Sequence, residues 1–227
     1  MNNYLILSQK PWNKDLKSSL ESIFPKDNWF LINKKDSFNE EKLKSISPDQ
    51  IFIPHWSHII KEEIYKNYNC IVFHMTDLPF GRGGSPLQNL ISKGISETKI
   101  SAINVEKKID SGSVYLKKNL SLHGTAEEIY IRANDIIKIM IQEIINKKIT
   151  PKPQKGIPIV FKRRKKEMSE INNQISDLTS LFNHIRMLDA DGYPKAYIET
   201  DFFKFEFTRA SLKSNETIIS DVRIIKK

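Results

Sequence analysis

A histidine that ends an apolar run and an aspartate that opens a glycine-containing turn are the residues of this chain best suited to chemistry. Cys70-Ile71-Val72-Phe73-His74 is short, apolar and partly β-branched, and the loop behind it carries Pro79, Gly81, Gly83 and Gly84. Such a run reads as a buried strand that leaves the sheet at His74. Ligands of open α/β sheets bind just beyond the carboxyl ends of the strands. Histidine is the side chain best suited to take a proton from an attacking group. Further on, Ile109-Asp110-Ser111-Gly112 separates two alternating segments, Thr98–Glu106 and Ser113–Leu122, that read as strands. Its residues suit local backbone hydrogen bonding. A carboxylate beside an imidazole orients it and stabilises its protonated form. Taken singly, each residue has a plainer reading: His74 as a satisfied histidine at a strand end, Asp110 as a structural turn.

The two together carry more. His74, Leu78, Pro79, Arg82, Gly83 and Pro86 stand in an order and spacing that resembles the signature of the folate-dependent formyltransferases, with no gap. In that family the catalytic aspartate begins an Asp-x-Gly turn at about the same distance after the histidine. The resemblance implies His74 as general base, Asp110 as its catalytic partner and N10-formyltetrahydrofolate as formyl donor. Transfer of a formyl group to an amine passes through a tetrahedral intermediate, and a donor to its oxyanion often contributes about 3 kcal/mol. The family places an asparagine two residues before the histidine for this purpose. Here that position is Val72, which has no polar side-chain atom. Asn69 falls on the opposite face of a regular strand. Thr76, protonated His74 or a backbone N–H of Gly83–Ser85 must then serve.

The resemblance also assigns binding residues. Pro54–Lys61 follows a third strand, where the family cradles the pterin of the folate; Trp56, Ser57, His58, Ile59 and Ile60, with Asp110, carry that over. His55 and His58 have no third His or Cys at ligand spacing, so no metal is expected. Arg82, whose planar fork suits phosphate, is assigned to the acceptor with Lys10 and Phe80.

These residues need a scaffold. Expected strands at Asn3–Ser8, Asn28–Asn33, Gln50–Pro54 and Cys70–His74 alternate with helices at Asn13–Ile23, Glu40–Ser45 and Ile59–Tyr68. A further helix starts near Ser85 with Pro86 at its first position, and a long one runs from about Thr125 to Asn146 behind the capping box Thr125-Ala126-Glu127-Glu128. This alternation predicts an α/β fold, a Rossmann-like, mostly parallel sheet with flanking helices. It places the catalytic domain at 1–150, a linker at 151–158 and a small C-terminal α+β appendage at 159–227, its strands including Phe202–Phe207 and Thr217–Ile225. No Gly-x-Gly-x-x-Gly follows the first strand and no P-loop motif occurs, which argues against dinucleotide and P-loop enzymes.

With 227 residues, 39% apolar and 28% charged, the composition is that of a globular protein. The single cysteine, Cys70, excludes a disulfide framework and suits a reducing compartment. No signal peptide or run of about 18 apolar residues is visible, so a cytoplasmic protein without membrane contact is expected. The net charge of +9 invites a nucleic-acid reading, but the excess is spread along the chain, and Lys162–Lys166 reads as a solvated basic run. About seventy residues follow the linker, an expected shortfall for the RNA-contacting barrel of the tRNA enzymes. The segment Gly192-Tyr193-Pro194-Lys195-Ala196 resembles the enzymes that act on nucleotide-linked amino sugars. The expectation is therefore formylation of a nucleotide-activated amino sugar for a surface glycan or a pseudaminic-acid-type pathway, with nucleic acid disfavoured and homo-oligomerisation open. The runner-up is a methionyl-tRNA formyltransferase; a catalytically inactive module that binds folate or a nucleotide sugar is the reading from another class.

Overall fold

The computed structural model describes residues 1–11 and 13–227. In chain order its elements are β1 (Asn3–Ser8), α1 (Asn13–Ile23), β2 (Asn28–Ile32), α2 (Glu40–Ile46), β3 (Gln50–His55), α3 (Glu62–Asn67), β4 (Cys70–His74), β5 (Phe80–Gly83), α4 (Pro86–Ser92), β6 (Glu97–Asn104), β7 (Val114–Ser121), α5 (Ala126–Lys147), β8 (Ile159–Phe161), α6 (Leu178–Arg186), β9 (Ala196–Glu199), β10 (Phe203–Lys213) and β11 (Thr217–Lys226). Among the described residues the main sheet runs β2-β1-β3-β4-β6-β7. β1 pairs in parallel with β2 and β3, and β3 with β4, while β6 lies antiparallel to β4. The mostly parallel sheet expected from the alternation is present.

Its inner strands are apolar on both faces because both faces are covered, the usual pattern of a parallel sheet. Leu5, Leu7, Ile51, Ile53 and Cys70 build an aliphatic cluster on one face. Tyr4, Trp29, Phe52 and Phe73 form a chain of ring contacts on the other. Burying Leu5, Ile6, Leu7, Ile51 and Phe52 completely contributes about 1.5–3 kcal/mol per side chain. The order β2-β1-β3 reverses direction at β1, which opens a crevice at the carboxyl ends of β1 and β3. Ser8 and His55 stand opposite each other there.

Two compact units make up the fold: Met1–Arg82, Lys99–Leu120 and Ile131–Val160 form the first, and Gly83–Thr98, Ser121–Tyr130 and Phe161–Lys227 the second. They are not consecutive in sequence, unlike the expected division at 151–158. Within the second unit, Gln88 Nε2 donates to Tyr130 Oη and to the Met187 carbonyl at 3.2 Å each. Arg186 Nη1 there donates to the Leu122 and Gly124 carbonyls at 2.6 and 2.9 Å. Such long-range polar contacts leave no trace in local composition. The segment 151–158 is also more than a linker, because Lys152 and Val114 exchange backbone hydrogen bonds at 2.7 and 2.8 Å.

Three elements depart from expectation. α3 starts at Glu62 rather than Ile59, since Lys61 is still extended and two acidic residues open the helix. β5 was expected as loop; it is a four-residue, glycine-rich strand that exists by pairing with β8. α6 lies in a segment given no helix, although Asp177 caps it by accepting from Ser180 N–H at 2.8 Å.

α5 buries Ile129, Ala133, Ile137, Met140, Ile141 and Ile144, a helical stripe of period 3.6. Both halves of its capping box are made: Thr125 N–H donates to Glu128 Oε2 at 2.7 Å, and Glu128 N–H to Thr125 Oγ1 at 3.3 Å. Thr125→Ala should lower unfolding free energy by about 1 kcal/mol. Urea denaturation checks this, and an unchanged midpoint would refute the cap's contribution.

Candidate active site

β4 delivers His74 to the carboxyl edge of the sheet, on the same face as Cys70 and Val72 by strand alternation. The side chain is almost buried, with 8% exposure, and its Nδ1 lies 3.5 Å from Oδ2 of Asp110, itself 14% exposed. Its Nε2 stands 2.8 Å from the carbonyl oxygen of Gly81. A carbonyl only accepts, so Nε2 carries a proton and donates it. In the neutral imidazole Nδ1 is then the basic nitrogen, and it faces the carboxylate. The sequence-matched pair is thus brought together with its tautomer defined.

The loop that supplies Gly81 is tied down residue by residue. Ser101, opposite His74 on β6, donates Oγ–H to the Thr76 carbonyl at 2.7 Å and accepts from Leu78 N–H at 3.3 Å. Lys99 and Lys117 pair with Asp77 at 2.9 and 2.5 Å, and Lys117 also donates to the Leu78 carbonyl. Burial alone would raise the Asp77 carboxyl, but hydrogen bonds and charge from the two lysines outweigh it and hold it below the usual range. The Leu78–Pro79 peptide is cis. Gly81 and Gly83 have φ of 77° and 101°, a region that costs a side chain dearly and glycine little.

The aspartate turn is equally constrained. Asp110 has φ of 52°, a left-handed conformation that aspartate tolerates better than most residues. A Cβ on Gly112 would stand 1.9 Å from the Asn104 carbonyl oxygen, so the position excludes every other residue. Gln154 Nε2 donates to the Asp110 and Gly112 carbonyls at 2.9 Å each.

Two expected site residues are given other work. Thr76 is fully buried and its Oγ1 donates to Gly81 O at 3.3 Å; this hydroxyl braces the loop and is not turned toward a reacting oxygen. Arg82, expected to meet acceptor phosphate, donates through Nε and Nη2 to Gln154 Oε1 at 3.2 and 2.7 Å, which commits one edge of its guanidinium to the protein. Phe80 is half-buried on β5. Val72 packs against the aliphatic cluster and offers no polar atom. Asn69 accepts from Tyr115 Oη at 3.1 Å. Gln154 was missed: it sits in a stretch whose Pro and Lys content signals only a linker.

Chains of known identity match over these same elements. The profile described as the methionyl-tRNA formyltransferase C-terminal domain matches residues 166–225. A solved structure titled methionyl-tRNA formyltransferase from Clostridium thermocellum is 49% identical, covers 100% of both chains and superposes with a TM-score of 0.96. Methionyl-tRNA formyltransferase of Clostridium botulinum is 29% identical over 70% of this chain and 53% of its own length. A sugar N-formyltransferase from a Shewanella species shares the fold, with a TM-score of 0.67 at 17% identity over 96% of this chain and 95% of its own. The chain spans about half the length of the curated relatives it matches.

The remaining expected residues cluster at the β1–β3 crevice. Gln9 N–H donates to the His55 carbonyl at 3.2 Å, and Gln9 Nε2 lies 3.3 Å from His58 Nε2. Trp56 meets Phe38 and His58 edge-on; Ile60 is buried and Ile59 is 82% exposed. His55 keeps some surface, but both its ring nitrogens are buried. Burial, with Lys10 close by, pushes its pKa down to about 4. The unfolded chain therefore takes up a proton near pH 6.5 that the native state refuses until about pH 4. This contribution to stability is complete above pH 6.5 and falls as pH drops through that window, by about 2 kcal/mol at pH 5. Urea unfolding at pH 7 and pH 5 should show that loss, and His55→Asn should remove it from the difference; an equal difference in both chains would exclude His55 as its source.

Proposed function

The chain belongs to the folate-dependent, methionyl-tRNA formyltransferase-like family, and from that premise we propose that it is an enzyme that moves a formyl group to a primary amine. The observation that carries this reading is His74, with Nε2 committed to Gly81 and Nδ1 facing Asp110 at 3.5 Å. N10-formyltetrahydrofolate supplies the formyl carbon when bound. The residues at the β3 exit fit such a group: Trp56, Ser57, His58 and Ile60 line the edge, and Ile59 holds an apolar side chain out of the core where a flat heterocycle would cover it. Asp110 borders the reacting end.

The amine becomes positively charged as it attacks and must lose a proton. His74 Nδ1 takes it, and the imidazolium is stabilised on one side by the Asp110 carboxylate and on the other by the Gly81 carbonyl. Nδ1 would return the proton to the nitrogen that departs as the donor's bond to the formyl carbon breaks. With Val72 apolar, Thr76 engaged and both ring N–H groups of the imidazolium taken by Asp110 and Gly81, the oxyanion is left to backbone N–H groups, aided by the positive charge of protonated His74. His74→Ala and Asp110→Ala should each lower formyl transfer at least about a hundredfold without loss of fold. A folded His74→Ala chain with near-normal turnover would remove the assignment.

For the acceptor, we infer methionyl-tRNA ahead of a nucleotide sugar, reversing the order that the sequence suggested. The relative 49% identical over its full length bears the tRNA enzyme's name, and the sugar enzymes share only the fold. The net charge of +9 suits a polyanion. Purified protein should formylate charged initiator tRNA, with affinity falling at least tenfold between 50 and 200 mM salt, as about two or more phosphate contacts require. Turnover of amino-sugar nucleotides with none on the tRNA would reinstate the sugar reading.

Val72 supports a second reading, that of a module that binds without turning over. Restoring the family's amide with Val72→Asn separates the two. In an enzyme short of one oxyanion donor it should raise kcat at least about tenfold, while costing about 1–3 kcal/mol of stability for a poorly partnered amide. Absence of turnover in both the natural chain and the variant, with donor binding intact, would leave the binding module.

A further inference from the structure

Gln154 has every hydrogen-bonding position of its side-chain amide in use. Both N–H groups are spent on the Asp110 and Gly112 carbonyls at 2.9 Å, and the oxygen takes Arg82 Nε and Nη2 at 3.2 and 2.7 Å. The flipped amide would set N–H against guanidinium N–H and oxygen against two carbonyl oxygens, so the network itself fixes the orientation. The stretch that carries Gln154 is pinned two residues earlier, where Lys152 and Val114 exchange backbone bonds. On the other side, Arg82 adjoins Gly81, whose carbonyl holds His74 Nε2. Consecutive residues of β5 thus hold the two members of the pair, one directly and one through Gln154. The turn needs such support, because Asp110 is left-handed, a conformation that strains a non-glycine residue.

We propose that Gln154 is a positioning residue for formyl transfer: with Arg82 as its anchor, it clamps the Asp110 turn and sets the carboxylate against His74. This rests on the reading of His74 and Asp110 as the reacting pair. It also gives Arg82 a role that involves no acceptor phosphate.

The test uses the full chain with whichever amine acceptor turns over. Gln154→Met removes all four bonds at similar length, and Gln154→Glu keeps the acceptor for Arg82 while losing both donors. Each should lower kcat at least tenfold and leave the KM for N10-formyltetrahydrofolate within about threefold. Amide exchange across residues 110–113 should quicken at least tenfold. In an Asp110→Ala background, Gln154→Met should change kcat by less than twofold, because its effect passes through that carboxylate. Unchanged kcat in either folded variant, unchanged exchange, or losses that multiply in the double variant would overturn the clamp. Full turnover by Asp110→Ala alone would instead overturn the reacting pair, and the clamp with it.

Discussion

The hydrogen bond from His74 Nε2 to the Gly81 carbonyl, 2.8 Å long, is the contact on which the rest of the site depends. It commits one ring nitrogen as a donor and leaves the other as the basic atom, turned toward Asp110. A histidine without that anchor would exchange tautomers and rotate about its side-chain bonds, and the carboxylate would have no fixed target. The bond in turn needs a backbone carbonyl presented at a particular place, which is why the loop after β4 carries so many restraints. Gly81 and Gly83 take positive φ, Thr76 adds a second donor to the same carbonyl, and Ser101, Lys99 and Lys117 hold the intervening residues. The two lysines keep the Asp77 carboxylate charged on the surface side of that loop, where its burial would otherwise oppose ionisation.

The sheet supplies what the loop cannot, a rigid edge. β4 is flanked by β3 and β6, so His74 leaves a strand paired on both sides, and its direction is set by backbone ladders rather than by loop packing. The turn after β6 then brings Asp110 to it. Gly112 lies against the Asn104 carbonyl with no room for a Cβ, and this close approach fixes where the turn begins. Positioning therefore comes from strand pairing and backbone carbonyls, held by the side chains of Thr76, Ser101, Lys99 and Lys117 on one arm and of Gln154 on the other.

Much of this was legible in the sequence because its signals are local. Apolar runs bounded by Gly and Pro gave the strands of the main sheet, and the capping box marked the start of α5. The spacing from His74 to Pro86 and the Asp-Ser-Gly turn pointed to the reacting pair. What escaped has a common physical character. β5 is defined by a partner strand far along the chain, and four residues of Phe-Gly-Arg-Gly have no intrinsic strand preference. Gln154 works through side-chain bonds to residues distant in sequence, inside a stretch whose composition says only that it is not helical. The bond from Arg82 to Gln154 was not legible, since a guanidinium that fits phosphate fits an amide oxygen as well. α6 had a readable start at Asp177, where an N-cap precedes an amphipathic stretch.

Val72 is the point at which this chain departs from its family's pattern, and its consequence can be sized. One oxyanion donor is worth about 3 kcal/mol, or roughly two orders of magnitude in rate. That stabilisation is made in the transition state and hardly at all in the ground state, so its loss falls on kcat and spares binding. The other groups of the proposed constellation are braced: His74 with its tautomer defined, Asp110 facing it at 3.5 Å, and the half-buried Gln154 with all four hydrogen-bonding positions filled. Gly112 stays pressed against the Asn104 carbonyl. On the proposed reading, the architecture holds an imidazole nitrogen against a carboxylate, and the rate would rest on that pair rather than on a side-chain amide.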